Sequence, residues 1–490
     1  MGSSINLWDV AHEVWHIGVA ALALVFSLLA SGHAILHKRD SRAAIAWVGF
    51  IWLVPLVGAL LYFIFGVNRI RRRASLLRGD FERYRAHDEA QHQCLPEELH
   101  RHLPAGSAQL EMLARVVGGV VNRPLLSGNR IEALSDGDEA YPAMLEAIRN
   151  ARQTVSLQTY IFDRDEVGLA FAHELGEATR RGVEVRVLVD ATGIRYSWPT
   201  ILHALRHEGV KYARFLPSFS LWHIMSMNMR THRKILVVDG RDGFTGGINI
   251  RKGHCLKQHP SRPVQDLHFR VRGPVVTQMQ EAFADDWFFT TRESLRGEPW
   301  FPKLEPAGQV LARGVTDGPD EDFEKLRWTI LGALSIARNT IRIMTPYFVP
   351  DQALISALNL ASMRGVQVEI MLPSRTNLPF VQWASRSMWW QVLEHGCRIW
   401  LSPPPFDHSK LMLVDGSWVL LGSANWDARS LRLNFEYNVE CYDAELAHRL
   451  EGWVETKRKA AHLVTLEEVD ARRLPARLRD GIARLLTPYL

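Results

Sequence analysis

Residues 231–249 read THRKILVVDGRDGFTGGIN and residues 408–425 read HSKLMLVDGSWVLLGSAN. Each copy contains His-x-Lys, four residues, an Asp-Gly pair, and then, past a glycine step, an Asn. His and Asn lie 17 positions apart in both (249 − 232 and 425 − 408). Five fixed positions of these residue types coincide by chance less than roughly once per million starting points, so this is one motif written twice. Alternate residues of a strand face the same way, which puts His232 with Lys234 and His408 with Lys410. The apolar runs Ile235 to Val238 and Leu411 to Val414 predict buried strand. Asp239-Gly240 and Asp415-Gly416 predict the turn that ends it.

Two imidazoles and two ammonium groups suit covalent transfer at a phosphodiester. The nucleophile must be neutral near pH 7, and ordinary imidazole has a pKa of about 6.5. A second imidazole, protonated, donates to the leaving oxygen and later takes a proton from the incoming alcohol. Lysines and amide or hydroxyl donors stabilise the developing negative charge. The candidate catalytic set is therefore His232, Lys234, Asp239, His408, Lys410 and Asp415. Within it Asp239 and Asp415 sit across the strand from the chemistry and read as turn or ion-pair partners. Asn249, Ser423, Asn425 and Gly247 are the candidate substrate-binding positions.

The duplication extends beyond the motif. Ala151-Arg152-x-Thr154 recurs as Ala337-Arg338-x-Thr340, and Arg181-Gly182-Val183 recurs as Arg364-Gly365-Val366. Apolar strands and a helical stretch surround both copies, which makes one α/β unit repeated with small deletions.

THRKILVVDG with FTGGINI, and HSKLMLVDG with GSANWDARS and LRLNFEYN, resemble the signature of the phospholipase D superfamily. DGDEAYPAMLEAI, LQTYIFDRDEVG and MTPYFVPDQAL extend the likeness over nearly the whole chain past about residue 110. They narrow it to bacterial cardiolipin synthases of that type. The resemblance implies an α/β fold of two tandem phospholipase D-like α/β sandwich domains in pseudo-two-fold arrangement, with both histidines in one cleft. It implies a phosphatidyl transferase that converts two phosphatidylglycerol molecules to cardiolipin and glycerol through a phosphatidyl-histidine, without metal or cofactor. His232 is assigned as nucleophile and His408 as acid and base, and the quasi-symmetry of the repeats permits the reverse. Each imidazole needs a carboxylate on its other ring nitrogen. The family-matched positions are Glu436 for His408 and Asp266 for His232. The rival readings are a hydrolase of the same superfamily, lipase or nuclease, and an inactive membrane scaffold.

Several features stand outside this pattern. After GGINI the chain continues RKGHCLKQHPSRPVQ (251–265), where such synthases carry an acidic-aromatic stretch. His254, Cys255 and His259 lack a fourth ligand at metal-site spacing, so they read as a solvated loop. Asp427 and Arg429 read as an ion pair bracing the site. Tyr160 and Tyr347 hold equivalent places and either line the cleft or pack in the core.

The 490 residues suffice for two core-bearing domains and an appendage. A net charge of +5 without a long basic tract argues against nucleic acid as partner. Cys94, Cys255, Cys397 and Cys441 are scattered, as free thiols in a reducing compartment are. Ile17 to Leu36 is 20 residues free of Asp, Glu, Lys and Arg, and Ala43 to Val67 is a second apolar run of 25. Each matches a hydrocarbon thickness of about 30 Å. The expected layout is a membrane anchor over 1–73 with transmembrane helices near 17–36 and 43–67. A polar tether follows over 74–110, then domains over 111–315 and 316–490. Lys38, Arg39 and Arg42 in the loop, against Arg69, Arg71, Arg72, Arg73 and Arg78 after the second run, place the catalytic body on the cytoplasmic side of a bacterial inner membrane. Pro55 leaves a re-entrant second run open. Residues 470–490 mix Arg472, Arg473, Arg477 and Arg479 with leucines at helical spacing, which reads as a packed terminal helix or one lying on anionic lipid. LWHIMSMNM (221–229) and FVQWASRSMWW (380–390), with Met225 and Trp389, either admit acyl chains or belong to the core. The partners expected are thus a phospholipid and the membrane.

Overall fold

The computed structural model describes residues 7–38, 40–67, 91–104, 106–216, 229–485 and 487. Arg39, the arginines between 69 and 78, and Met225 lie outside the described residues. The chain divides into a small amino-terminal unit and a large unit that holds both histidine motifs.

The small unit contains helices α1 (Leu7–His37), α2 (Ser41–Leu53) and α3 (Pro55–Leu61), closed by a π-turn at Tyr62–Gly66. Over His12–His37 α1 is long and apolar enough to cross a membrane, with mean hydropathy 2.1. The second apolar run departs from the single span expected over 43–67. Pro55 lacks an N–H and disfavours helical backbone at Val54, which adopts φ −137 and ψ 77 and splits the run. Beyond the break the chain folds sharply back. A Cβ on Gly58 would lie 2.8 Å from both the Ile51 Cα and the Phe50 carbonyl oxygen, so only glycine permits this approach. Among the described residues, α1 is the one helix of spanning length.

In the large unit the first half supplies β1 (Leu125–Ser135), β2 (Thr154–Thr159), β3 (Glu184–Asp190), β4 (Tyr212–Phe215), β5 (Ile235–Val238), β6 (Asp242–Gly246) and β7 (Leu267–Arg272). Their order is β4-β3-β2-β5-β6-β7-β1. The second half supplies β8 (Val310–Asp317), β9 (Thr340–Met344), β10 (Gln367–Pro373), β11 (Arg398–Ser402), β12 (Leu411–Val414), β13 (Trp418–Gly422) and β14 (Asn434–Tyr442). Their order, β11-β10-β9-β12-β13-β14-β8, repeats the first. β1 and β8 pair antiparallel, Val310 with Asn129 and Ala312 with Leu126, and join the repeats about a pseudo-two-fold.

The helices that matter below are α4 (Gln109–Val121), α5 (Val275–Thr291), α6 (Lys325–Ile336), α7 (Pro379–Arg386), α8 (Ala444–Lys459) and α9 (Leu474–Leu485). One apolar cluster draws on both halves. It packs Phe269, Met279, Phe283 and Trp287 with Leu413, Val419, Tyr437 and Leu450. The boundary expected at 315/316 therefore falls inside β8, which pairs with strands of both halves. The tether expected over 74–110 is also folded from Gln93 onward. Gln93–Cys94 pairs with Leu125–Leu126, and Leu99, Leu103 and α4 are packed in the core beside α6, because this stretch carries apolar side chains among its charges.

Both motif turns have two successive left-handed residues, Asp239 (φ 51) with Gly240 (φ 62) and Asp415 (φ 50) with Gly416 (φ 60). That backbone matches the twist of a tight hairpin. The Asp239 carboxylate accepts from the backbone N–H groups of Arg152, Gln153 and Thr154 at 2.7–3.1 Å. Asp415 does the same for Arg338, Asn339 and Thr340. Replacing either aspartate with alanine strips three amides of their acceptor. The expected cost is about 1–3 kcal/mol, read as a lower urea midpoint; an unchanged midpoint would refute this bracing role.

Candidate active site

Each histidine segment runs beside a strand of the opposite half. Arg230–Thr231 pairs in parallel with Asn434–Phe435, and the His232 N–H donates to the Phe435 carbonyl at 2.9 Å. Phe406–Asp407 pairs in parallel with Val264–Gln265, and the His408 N–H donates to the Gln265 carbonyl at 2.7 Å. These bridges carry Glu436 to His232 and Asp266 to His408. His232 Nδ1 lies 3.0 Å from both carboxylate oxygens of Glu436, and His408 Nδ1 lies 2.8 Å from Asp266 Oδ2.

The carboxylates are thus exchanged relative to the sequence expectation, which matched Asp266 to His232 and Glu436 to His408. Strand spacing gives the reason. Within one half, β6 separates β5 from β7, and β13 separates β12 from β14. At roughly 4.8 Å per strand that leaves about 10 Å, beyond hydrogen-bond reach. Across the halves the segments are neighbours.

The four basic groups are buried together. His232 and His408 are 8% and 9% exposed, Lys234 and Lys410 less. Burial pushes Lys234 down to about 7 and Lys410 down to about 8. It lowers both imidazoles, His408 well below the ordinary value, with the charges of Lys410, Lys234 and His232 adding to the effect on His408. Lys410 in turn lowers His232, so groups from both repeats act on one another in one site. Lys234 Nζ donates to the His232 carbonyl at 2.7 Å. Lys410 Nζ donates to the His408 carbonyl and lies 2.8 Å from His408 Nδ1.

The two carboxylates differ. Burial pushes Glu436 up, but His232, Lys234 and the Ser423 hydroxyl outweigh it and hold Glu436 below its ordinary value. Asp266, also buried, is pushed up to about 6. Ser423 Oγ donates to Glu436 Oε2, and Asn434 Nδ2 donates to Oε1 at 3.2 Å. The equivalent of Ser423 is Gly247, where a Cβ would stand 2.1 Å from Asp266 Oδ1. Glycine there makes room for the aspartate.

The expected substrate-binding positions therefore turn inward. Gly247 and Ser423 serve the carboxylates, Asn249 Oδ1 accepts from the Ile161 N–H at 3.1 Å, and Asn425 Nδ2 donates to Ser430 Oγ at 3.3 Å. Asp239 and Asp415 leave the candidate catalytic set, because their carboxylates are spent on backbone amides at the far end of the strands. Asp427 accepts from the Ser430 N–H at 2.7 Å and shapes a turn. The 251–265 segment is packed at its start and solvated beyond it: His254 and Cys255 are buried, Asp165 and Asp138 accept from the Lys252 and Lys257 N–H groups, and Lys257 to His259 are exposed. Trp389 is buried with Nε1 on Ser385 Oγ at 3.0 Å, and the exposed aromatics of that stretch are Phe380 and Trp390.

Asn434 is a site residue that the sequence reading missed. Its position two residues before Glu436 on a strand, hence on the same face, is the signal that would have found it. Tyr160 and Tyr347 set their rings edge-on to His232 and His408, with centroids 5.3 and 6.3 Å apart. The whole arrangement offers one imidazole held by an ionised carboxylate, a second between a carboxylate and an ammonium group, and two cations for a phosphate.

Two family models match the chain. "Cardiolipin synthase, PLD-like domain" matches residues 144–287 and 330–457, and "Phospholipase D-nuclease N-terminal" matches 21–66. Cardiolipin synthase A of Pseudomonas fluorescens (strain SBW25) is 34% identical, over 94% of this chain and 96% of its own length. Cardiolipin synthase of Geobacillus kaustophilus (strain HTA426) is 32% identical, over 100% and 95%. The crystal structure of phosphatidylserine synthase from Haemophilus influenzae Rd KW20 shares the fold, with a TM-score of 0.60 at 15% identity, covering 77% of this chain and 100% of that one. With both PLD-like repeats matched and full-length relatives above 30% identity, the chain belongs to the bacterial cardiolipin synthase family of the phospholipase D superfamily.

Proposed function

We propose that the chain is a membrane-associated phosphatidyl transferase that makes cardiolipin from two phosphatidylglycerol molecules. The observation that carries the mechanism is the pair of exchanged imidazole–carboxylate contacts. His232 Nδ1 faces only carboxylate oxygens, so it holds the proton and leaves the Nε2 lone pair for phosphorus. His408 Nδ1 lies 2.8 Å from both Asp266 and Lys410, so it can donate to one or accept from the other. That suits the group that shuttles a proton.

In the first step the His232 Nε2–P bond forms and the P–O bond to glycerol breaks, with His408 supplying the proton to the departing oxygen. In the second, His408 takes the proton from a hydroxyl of the second phosphatidylglycerol. Its oxygen bonds to phosphorus as the P–N bond breaks. The anionic phosphodiester raises the proton affinity of the lowered imidazole and lysines, and the lysines stabilise the equatorial oxygens.

The body is proposed to face the cytoplasm under either topology of the second apolar run. No Lys or Arg precedes Lys38. If the second run is re-entrant, its flanking Lys38, Arg39 and Arg42 share a side with Arg69 to Arg78. If it spans fully, the later arginines still outnumber the loop. The broken helix at Pro55 supports the re-entrant form.

Three measurements test this reading. With labelled phosphatidylglycerol, Glu436→Gln slows formation of the covalent lipid–protein species, and Asp266→Asn slows both its formation and its discharge, each by about 10²–10⁴-fold. No covalent species in any variant, or phosphatidic acid as the product, overturns the transferase. The rate falls on the acid side only below 6.5, where His232 gains its proton. On the alkaline side kcat/KM, which reports the unliganded site, falls from about 7 to 8 upward, as Lys234 and Lys410 lose theirs; a flat kcat/KM profile to pH 9 counts against charged lysines. Finally, a cysteine placed at Asp40 stays unlabelled by an impermeant thiol reagent in intact cells if the run is re-entrant, and is labelled if it spans.

A further inference from the structure

Helix α9 carries an apolar stripe on which nothing is packed among the described residues. Leu474, Leu478, Ile482 and Leu485 are 58–73% exposed. At about 100° per residue they fall within roughly 80° of the helix circumference. The opposite face is closed against α7. Arg479 covers the Trp383 ring at 4.5 Å, and Arg472 donates to the Arg386 carbonyl at 3.1 Å. Asp480 is buried between Arg472 and Arg479, at 2.8 and 2.7 Å. It is the sole acidic residue between 471 and 485, so the exposed charges beside the stripe, Arg473, Arg477 and Arg484, are all cationic.

A second apolar patch lies at the start of α7. The Phe380 ring lies 5.1 Å from Trp383, and Phe380 and Leu378 are 55% and 44% exposed. It ends at the reaction site. Asn377, next to Leu378, accepts from the Tyr347 hydroxyl at 2.6 Å, and Tyr347 stands edge-on to His408.

We infer that α9 and the first turn of α7 form a docking face for an anionic bilayer. The leucine stripe enters the acyl boundary, the arginines meet lipid phosphates, and the His408 side of the site is held at headgroup level. A second copy of the chain fits less well, since a two-fold contact would set arginine against arginine. The identity of the partner surface rests on the proposed lipid chemistry, whereas the docking test reads contact and not turnover.

The test uses the full chain in vesicles. Cys94, Cys255, Cys397 and Cys441 are all buried, so a label at Leu478→Cys or Ile482→Cys reports that site. Nitroxide on lipid acyl chains quenches both labels in phosphatidylglycerol vesicles, and quenching falls roughly threefold or more in phosphatidylcholine alone. Leu478→Asp with Ile482→Asp lowers turnover of bilayer phosphatidylglycerol on the order of tenfold and leaves turnover in detergent micelles unchanged. Unquenched labels, label–label coupling from a second copy, or an equal loss in micelles would overturn the docking face. Absence of cardiolipin in micelles from the unaltered chain would instead sink the transferase reading and leave the quenching result standing.

Discussion

The structure depends on two short parallel strand bridges that cross between the repeats. Each delivers the carboxylate of one half to the imidazole of the other. Neither motif histidine reaches the matching carboxylate of its own half, because an intervening strand keeps the two apart. The fusion of the halves through β1 and β8, and the apolar cluster that both line, is therefore a condition for the chemistry. Arg233, 1% exposed, adds a third tie: it donates to the Glu436 carbonyl at 3.1 Å and pairs with Asp286 at 3.0 Å.

Burial of this much charge is costly unless each group finds partners. Here two lysines, two imidazoles and two carboxylates occupy one buried region and lower or raise one another accordingly. The result is a site poised for an anion, because a phosphate supplies negative charge where cations are held at reduced proton affinity. The repeats are not equivalent in this respect. Serine at 423 and glycine at 247 give Glu436 a hydroxyl donor and Asp266 only space, and the two carboxylates shift in opposite directions. A duplicated motif has in this way acquired two different imidazoles.

The shared strand faces of the histidines and lysines were legible because strand periodicity and a repeated spacing are properties of sequence alone. So were the α/β duplication, the Asp-Gly turns and the first apolar helix. The second apolar run was expected as one helix, with Pro55 leaving a re-entrant form open, since composition does not reveal where Gly58 lets the chain fold back on Ile51. From Gln93 onward the expected tether is folded: Leu99 and Leu103 look sparse among charges, yet they are buried in the core.

The sequence by itself determined which side chains share a strand face, because facing and spacing along one strand are local. Only the tertiary structure decided which carboxylate serves which histidine, and which expected donors, such as Gly247, Ser423 and Asn249, turn inward. Those outcomes depend on strands hundreds of residues apart becoming neighbours, 204 positions for His232 and Glu436. Local periodicity holds no information about which strand lies across the gap.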